Sequence, residues 1–332
     1  MKCKKILAIV MALILAGCLA GCSQSTEQIK KENKITIMTT LFPYYDFVRA
    51  IVRDAENIEI KLLVSPGQDD HSFEPTPANV LEIDKADVFI YNGGTIENWV
   101  SEVLQSLDNR EQTVIRMMDC VEEQIEENHD EDDEEQIFAV DDHEHNHAVE
   151  EHHHEEVDEH IWTSPAFAQI LLENICDTLC KKLPEYGDVF RENTKNYVNQ
   201  IKGIDKQFRD VVQRAEKKEI IFADKFPLKY FADEYGLKYY AAFDGCSGEM
   251  EPSAKTVAFL IDKVRAKDVK GIFYLELSSQ AMADVICDDT GVSKYQFNSC
   301  HNITGRQFDD GVTYVSLMKE NIKVLDKALN GK

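Results

Sequence analysis

Lysine and arginine are missing altogether from residues 121–160, a stretch that holds 19 aspartates and glutamates. Outside it the chain is ordinary: the other 292 residues carry 42 acids against 36 bases, so most of the formal charge of −25 belongs to one insert. No basic stripe occurs, which excludes nucleic acid as an expected partner. No His-Glu-x-x-His motif is present, since Asp158 stands where the second histidine after His154-Glu155 would fall, and there is no Gly-x-Ser-x-Gly nucleophile elbow. A hydrolase therefore has no residue set to work with, and no enzymatic activity is expected. Wholesale disorder is excluded as well, because 43% of the 332 residues are hydrophobic, enough for real cores. That length suggests two lobes.

The apolar run Ile6–Leu15 is too short for a stable membrane span. Lys2, Lys4 and Lys5 precede it, and small residues ending in cysteine follow twice, as Leu15-Ala16-Gly17-Cys18 and Leu19-Ala20-Gly21-Cys22. This pattern resembles a bacterial lipobox, whose cysteine is lipidated and becomes the first residue of the mature protein. Cys22 is the expected lipidation site rather than Cys18, because Ser23-Gln24-Ser25-Thr26 after it reads as a flexible polar tether. Residues 1–21 are then a lipoprotein signal peptide and 22–33 a tether, and the protein is expected to be extracytoplasmic, lipid-anchored to the cell membrane. Six cysteines follow: Cys120, Cys176, Cys180, Cys246, Cys287 and Cys300. Export permits disulfides without requiring them. Cys176 and Cys180, four apart on an apolar helical face, are expected as buried free thiols.

Strand-like runs alternate with helical ones. Ile35–Thr40, Ile58–Val64, Val88–Tyr91 and Thr113–Arg116 are short and rich in β-branched or aromatic residues, with helical patterns over Pro43–Arg53, Pro77–Lys85 and Ile96–Leu107 between them. The rhythm resumes with strands at Glu219–Ala223, Lys238–Ala242, Gly271–Leu275 and Tyr295–Phe297. Helices are read at Pro227–Glu234, Ser253–Arg265, Ser278–Asp289 and Asp310–Leu329. Between the two series, Ser164-Pro165 opens a helix that Pro184 ends, and a longer pattern places Tyr197, Ile201, Ile204, Phe208 and Val211 on one face. The expected fold class is therefore α/β: two similar α/β lobes, each with a mainly parallel sheet, joined by one long rigid helix. The lobes are set at 34–185 and 218–332 with the linking helix at 186–217, and the acidic insert at 121–157 is expected to be a disordered loop. A stiff link implies small lobe motions rather than a wide opening.

Eight of the ten histidines, His129, His143, His145, His147, His152, His153, His154 and His160, fall within residues 129–160. Neutral imidazole is a good ligand for zinc and copper, and nearby carboxylates concentrate cations. His143, His145, His147, His152, His153 and His154 thus read as a metal-capturing loop of low affinity. A specific site needs ligands on rigid elements. His71 stands in a loop after a strand and just before the Thr76-Pro77 helix start, and His160 stands just before Ser164-Pro165. Loops in that position carry the ligands of α/β folds.

These segments resemble the zinc/manganese solute-binding lipoproteins of bacterial ABC transporters. The stretch Gly67 to Pro77 around His71 looks like that family's Gly-x-x-x-His-x-x-x-x-Thr-Pro motif, and Asp158–Pro165 resembles its Asp-x-His-x-Trp-x-x-Pro. Ala86-Asp87-Val88 through Tyr91-Asn92-Gly93, with Glu97-Asn98-Trp99, is similar to a further signature. An acidic histidine-rich loop before the second ligand is typical of zinc-type members. The resemblance implies a monomeric protein that captures Zn²⁺ outside the cell and delivers it to an ABC permease. Two alternatives stand beside it: a manganese-specific solute-binding protein, and a surface metal-buffering or adhesin lipoprotein without a transport role. Carboxylate-rich sites suit Mn²⁺ better than a set dominated by imidazole.

The second lobe departs from the pattern. Lys225, in Asp224-Lys225-Phe226-Pro227, stands where the family places its third histidine, and Asn298 falls near its last, acidic ligand position. His301, three residues beyond Asn298, is expected to replace a missing ligand, giving His71, His160 and His301 as the metal set. Glu276, Asp244 and Glu249 are candidates for a fourth ligand, and for an ion pair with Lys225. Cys246 and Cys300 are expected either to form a disulfide near this site or, failing that, to offer two thiolates beside His301.

Overall fold

The computed structural model describes residues 34–129, 137–138, 157–245 and 252–331. The residues from Ile35 onward form one compact unit. Its first half is a four-stranded sheet, built from β1 (Ile35–Thr39), β2 (Ile58–Leu62), β3 (Val88–Tyr91) and β4 (Thr113–Arg116) in the order β2-β1-β3-β4. Every pairing in it is parallel. Parallel strands need crossovers, and α1 (Phe42–Ile51), α2 (Pro77–Lys85) and α3 (Trp99–Ser106) supply them. The second sheet is also parallel, built mainly from β6 (Glu219–Phe226), β7 (Lys238–Asp244), β8 (Gly271–Leu275) and β9 (Ser293–Phe297). A two-residue strand, β5 (Ile137–Phe138), pairs with β7 at its edge, giving the order β5-β7-β6-β8-β9.

Local chemistry fixes the helix starts nearest the site. The Thr76 hydroxyl accepts a hydrogen bond from the Asn79 amide, the Asn79 Oδ1 accepts one from the Thr76 amide, and Pro77 occupies the first turn where no amide hydrogen is needed. Ser164 caps α5 (Pro165–Lys182) in the same way, through the Phe167 amide. After it runs α6 (Gly187–Arg214), 28 residues long and so about 42 Å from end to end.

This helix is not a free-standing rod. Its buried face, including Phe190, Tyr197, Ile201, Ile204, Phe208 and Val211, belongs to one continuous core shared with Phe47 and Trp162 of the first half and Phe231, Phe297 and Leu325 of the second. α6 packs against α1, α5 and the C-terminal helix α11 (Tyr314–Asn330). Its stiffness therefore comes from burial along its length as well as from helical geometry. A smaller core on the second sheet, around Ile221, Tyr240, Leu260 and Ile272, is closed by α8 (Ala254–Lys267) and α9 (Ala281–Thr290).

A buried carboxylate pins this packing together. Asp46 on α1 accepts from the Tyr197 hydroxyl of α6, from the Tyr314 amide of α11 at 2.8 Å and from Arg49 at 2.5 Å. Arg49 in turn donates to the Val312 carbonyl at 2.7 Å. Burial raises the pKa of Asp46 against these donors.

The acidic insert differs from the expected disordered loop at both points where it is described. Glu122–His129 forms α4, anchored by buried Val121 and Ile125, and β5 is the second ordered piece. Two apolar anchors are enough to fix the first turn of an otherwise charged helix to the core. His143, His145, His147, His152, His153 and His154 lie outside the described residues, as do Cys22, Cys246 and Glu249.

Candidate metal centre

Three loops converge. His71 lies between β2 and α2, His160 immediately before α5, and His301 after β9. One nitrogen from each of the three rings lies within 4.8 Å of the other two. Ring centroids are 5.8 Å apart for His71 and His160, 5.1 Å for His71 and His301, and 5.2 Å for His160 and His301. A tetrahedral Zn²⁺ with Zn–N bonds of about 2.0–2.1 Å sets its nitrogens about 3.4 Å apart. The expected trio is thus brought together, from both halves of the molecule.

The nitrogens are prepared for a cation. His160 is fully buried, and its Nδ1 faces Asp158 Oδ1 at 3.0 Å while its amide donates to the same oxygen at 2.8 Å. That partner fixes the ring and leaves Nε2 to the site, where it is buried with no hydrogen-bond partner. Burial works against a charged His160, but the Asp158 carboxylate outweighs it and raises the imidazole's pKa. The same pairing holds Asp158 below the usual carboxylate range in spite of its burial. His71 shifts the other way: burial, with the positive charge of His301, His160 and Lys225 around it, lowers its pKa to about 4. His301 is 9% exposed and its buried Nε2 is in contact with Asp70 Oδ2.

The surrounding groups hold the three loops in register. Trp162, fully buried two residues after His160, donates from Nε1 to the Ser299 carbonyl at 2.9 Å, and its ring lies 4.8 Å from that of His301. Asn302 donates to the Gln68 carbonyl at 2.6 Å and to that of Ser65 at 3.2 Å, tying the His301 loop to the His71 loop. Tyr314 donates to the Trp162 carbonyl at 2.9 Å. Tyr230 donates to the Asp158 carbonyl at 2.7 Å, and Glu234 accepts from Ser164 at 2.6 Å at the head of α5. The Glu159 carboxylate accepts from the Thr95 and Ile96 amides at 2.8 and 3.0 Å. Gly94, at φ +82°, clears that seat, since a β-carbon there would run into Glu159.

Of the expected fourth ligands, Glu276 and Asp244 stand outside the histidine cluster. Glu276 gives both oxygens to Ser299, accepting from its amide at 2.7 Å and its hydroxyl at 2.6 Å, and burial raises its pKa. It is a brace for the His301 loop and is not held by Lys225. Asp244 is exposed at the end of β7, outside the histidine cluster. Cys300 is a free thiol, so the bridge to Cys246 is not formed. Its backbone takes φ +60°, its Sγ turns to the Asn298 carbonyl at 3.9 Å, burial pushes the thiol's pKa well up, and it stands outside the histidine cluster. Cys176 and Cys180 are buried free thiols with sulfurs 3.8 Å apart, as their spacing implied. Sequence reasoning did not single out Asp70, 5% exposed and in contact with His301 through Oδ2. The Asp-x-His spacing of Asp158 and His160 was a readable signal for a carboxylate behind a ligand. Nothing local marked Asn302 or Asp70.

A family model described as zinc-uptake complex component A, periplasmic (ZnuA), matches residues 37–328. The zinc-binding lipoprotein AdcA of Streptococcus pneumoniae is 30% identical over 305 residues. That match takes in 90% of this chain and 57% of AdcA, so the chain spans little more than half of that relative. The high-affinity zinc uptake system protein ZnuA of Bacillus subtilis is 29% identical over 90% of this chain and 89% of its own length. Among solved structures, the Zn(II)-bound ZnuA-like domain of Streptococcus pneumoniae AdcA superimposes with a TM-score of 0.69 at 27% identity, covering 90% of this chain and 99% of that one.

Proposed function

The chain belongs to the zinc-uptake complex component A family, and from that premise we propose that it captures Zn²⁺ outside the cytoplasm and delivers it to the permease of an ABC importer. The observation that carries this reading is the convergence of His71, His160 and His301, with the Nε2 of His160 buried and unpartnered. Three imidazoles suit Zn²⁺ better than Mn²⁺, which favours carboxylate and water. The ion is cargo: it is bound by exchanging its waters for imidazoles and released unchanged. Cys22 carries the lipid that holds the protein at the membrane surface, and the protein acts as a monomer. The histidine-rich part of the insert concentrates zinc near the site without forming it.

A competition titration of residues 23–332 with Zn²⁺ and Mn²⁺, repeated on a version lacking residues 139–156, tests this. That deletion leaves α4 and β5 intact and removes His143, His145, His147, His152, His153 and His154. One tight Zn²⁺ site that survives the deletion and outcompetes Mn²⁺ is the expected result. Loss of all tight binding with the loop would make the protein a metal buffer instead.

A further inference from the structure

We propose that Leu277 is the contact through which the importer's permease triggers release of the ion, by way of Glu276, Ser299 and His301. This inference rests on the zinc-delivery reading above. Leu277 lies two residues past the end of β8, and His301 four residues past the end of β9, the parallel neighbour of β8. Both loops therefore leave the second sheet at one edge, the edge where the three histidines meet. A protein that receives the ion has to face that edge.

Two features set Leu277 apart there. It is a large apolar side chain, 52% exposed, and its backbone takes φ +61°. Among the described residues no other exposed large hydrophobic side chain stands on such a backbone. The left-handed region is costly for a bulky residue and far less so for glycine, asparagine or aspartate. Of the described non-glycine residues found in it, Asn57 and Asp268 are the tolerant kind, and Leu277 and Cys300 are not. In the free protein half of the Leu277 side chain is left in water. An apolar socket on the permease would bury it and offset the cost of its backbone.

The two strained residues belong to one path. Glu276, next to Leu277, accepts from the Ser299 amide at 2.7 Å and from its hydroxyl at 2.6 Å. Ser299 precedes Cys300, and its Oγ accepts from the His301 amide at 3.3 Å. On the other side of Leu277, Ser278 donates to Asp224, whose Oδ2 also accepts from the Leu275 amide at 3.0 Å. Leu277 is thus held in its unfavourable conformation from both flanks, an arrangement suited to a switch. A contact that lets this backbone relax moves Glu276, and with it the seat of Ser299 and His301. The ion then loses its second-lobe imidazole when the permease is already in place.

The test is uptake of radioactive Zn²⁺ by cells whose own copy of this gene is deleted and which carry the full chain or a variant. Competition titration of the 23–332 protein gives zinc affinity beside it. Leu277→Asn and Leu277→Gly accept the left-handed backbone and remove the apolar contact, and Leu277→Met keeps one of similar size. Leu277→Asn and Leu277→Gly should hold Zn²⁺ within about twofold of the wild type and lower uptake by about tenfold or more, as loss of a central interface contact does. Leu277→Met should support uptake close to that of the wild type. Right-side-out membrane vesicles of the same cells should speed zinc release from wild-type protein to a chelator, and not from the asparagine or glycine variant. Wild-type uptake by both of those variants, a fall in uptake matched by an equal fall in their affinity, or release that vesicles speed equally from all three proteins would overturn the assignment and leave zinc delivery standing. Failure of the wild-type chain itself to restore uptake would overturn both.

Discussion

The two lobes hold their ligands by different means. His71 and His160 each precede a helix whose first turn is capped within a few residues, by Thr76 and Asn79 in one case and by Ser164 in the other. His160 has its orienting carboxylate two residues away. His301 stands in an irregular loop, and the groups that fix it come from far along the chain: Trp162 at Ser299, Glu276 at Ser299, Ser65 and Gln68 at Asn302, and Asn321 at Asn298. First-lobe ligands have anchors close by in sequence, to which Tyr230, Glu234 and Asn302 add bonds from the second lobe. The second-lobe ligand is placed by the rest of the molecule, including the first lobe.

The largest expected effect would break this comparison outright. His160→Ala and His301→Ala each remove a ligand and should each weaken Zn²⁺ binding by more than ~100-fold in a competition titration, beyond the range for orienting groups. If His301→Ala binds like wild type, the second lobe contributes nothing to the site. Next come the orienting groups. Asp158→Asn, which acts locally, and Trp162→Phe, which acts across the lobes, should each cost about 10–100-fold in zinc affinity with an unchanged circular dichroism spectrum. An effect of Trp162→Phe below a factor of two would mean that His301 is held without the first lobe.

Acid should act through His160 before His71. A protonated imidazole cannot bind metal, His160's pKa is raised above the usual value near 6.5 and His71's is lowered to about 4. Zinc affinity should therefore fall by about tenfold per pH unit once pH drops below the raised His160 value, while His71 stays neutral until about pH 4. A titration flat between pH 8 and pH 6 would contradict this. The smallest effect belongs to the packing behind the site. Tyr197→Phe removes one donor from buried Asp46 and should lower stability by about 1 kcal/mol in a denaturant titration, since the Tyr314 amide and Arg49 remain.

The same contrast explains what could be read from the sequence. Thr76-Pro77 and Ser164-Pro165 are local signals, and the helices begin where they stand. Buried strands such as Val88–Tyr91 are continuous apolar runs and keep their expected limits. β9 starts at Ser293, two residues before the apolar signal at Tyr295, because hydrogen bonding to β8 carries Ser293 and Lys294 into the sheet. His301 was legible because so few histidines lie outside the insert. The role of Glu276 was not: whether a carboxylate serves metal or Ser299 depends on a partner 23 residues away. Asp70 carried no local mark either, since an acid beside another acid in a loop reads as solvated until the second lobe closes over it.

The most direct test of the central claim is an anomalous-difference map recorded at the zinc absorption edge from crystals of the zinc-loaded 23–332 protein. One strong peak bonded to a nitrogen of His71, of His160 and of His301 is the predicted result. A peak held by first-lobe residues alone, with His301 turned away, would contradict a centre shared between the two lobes.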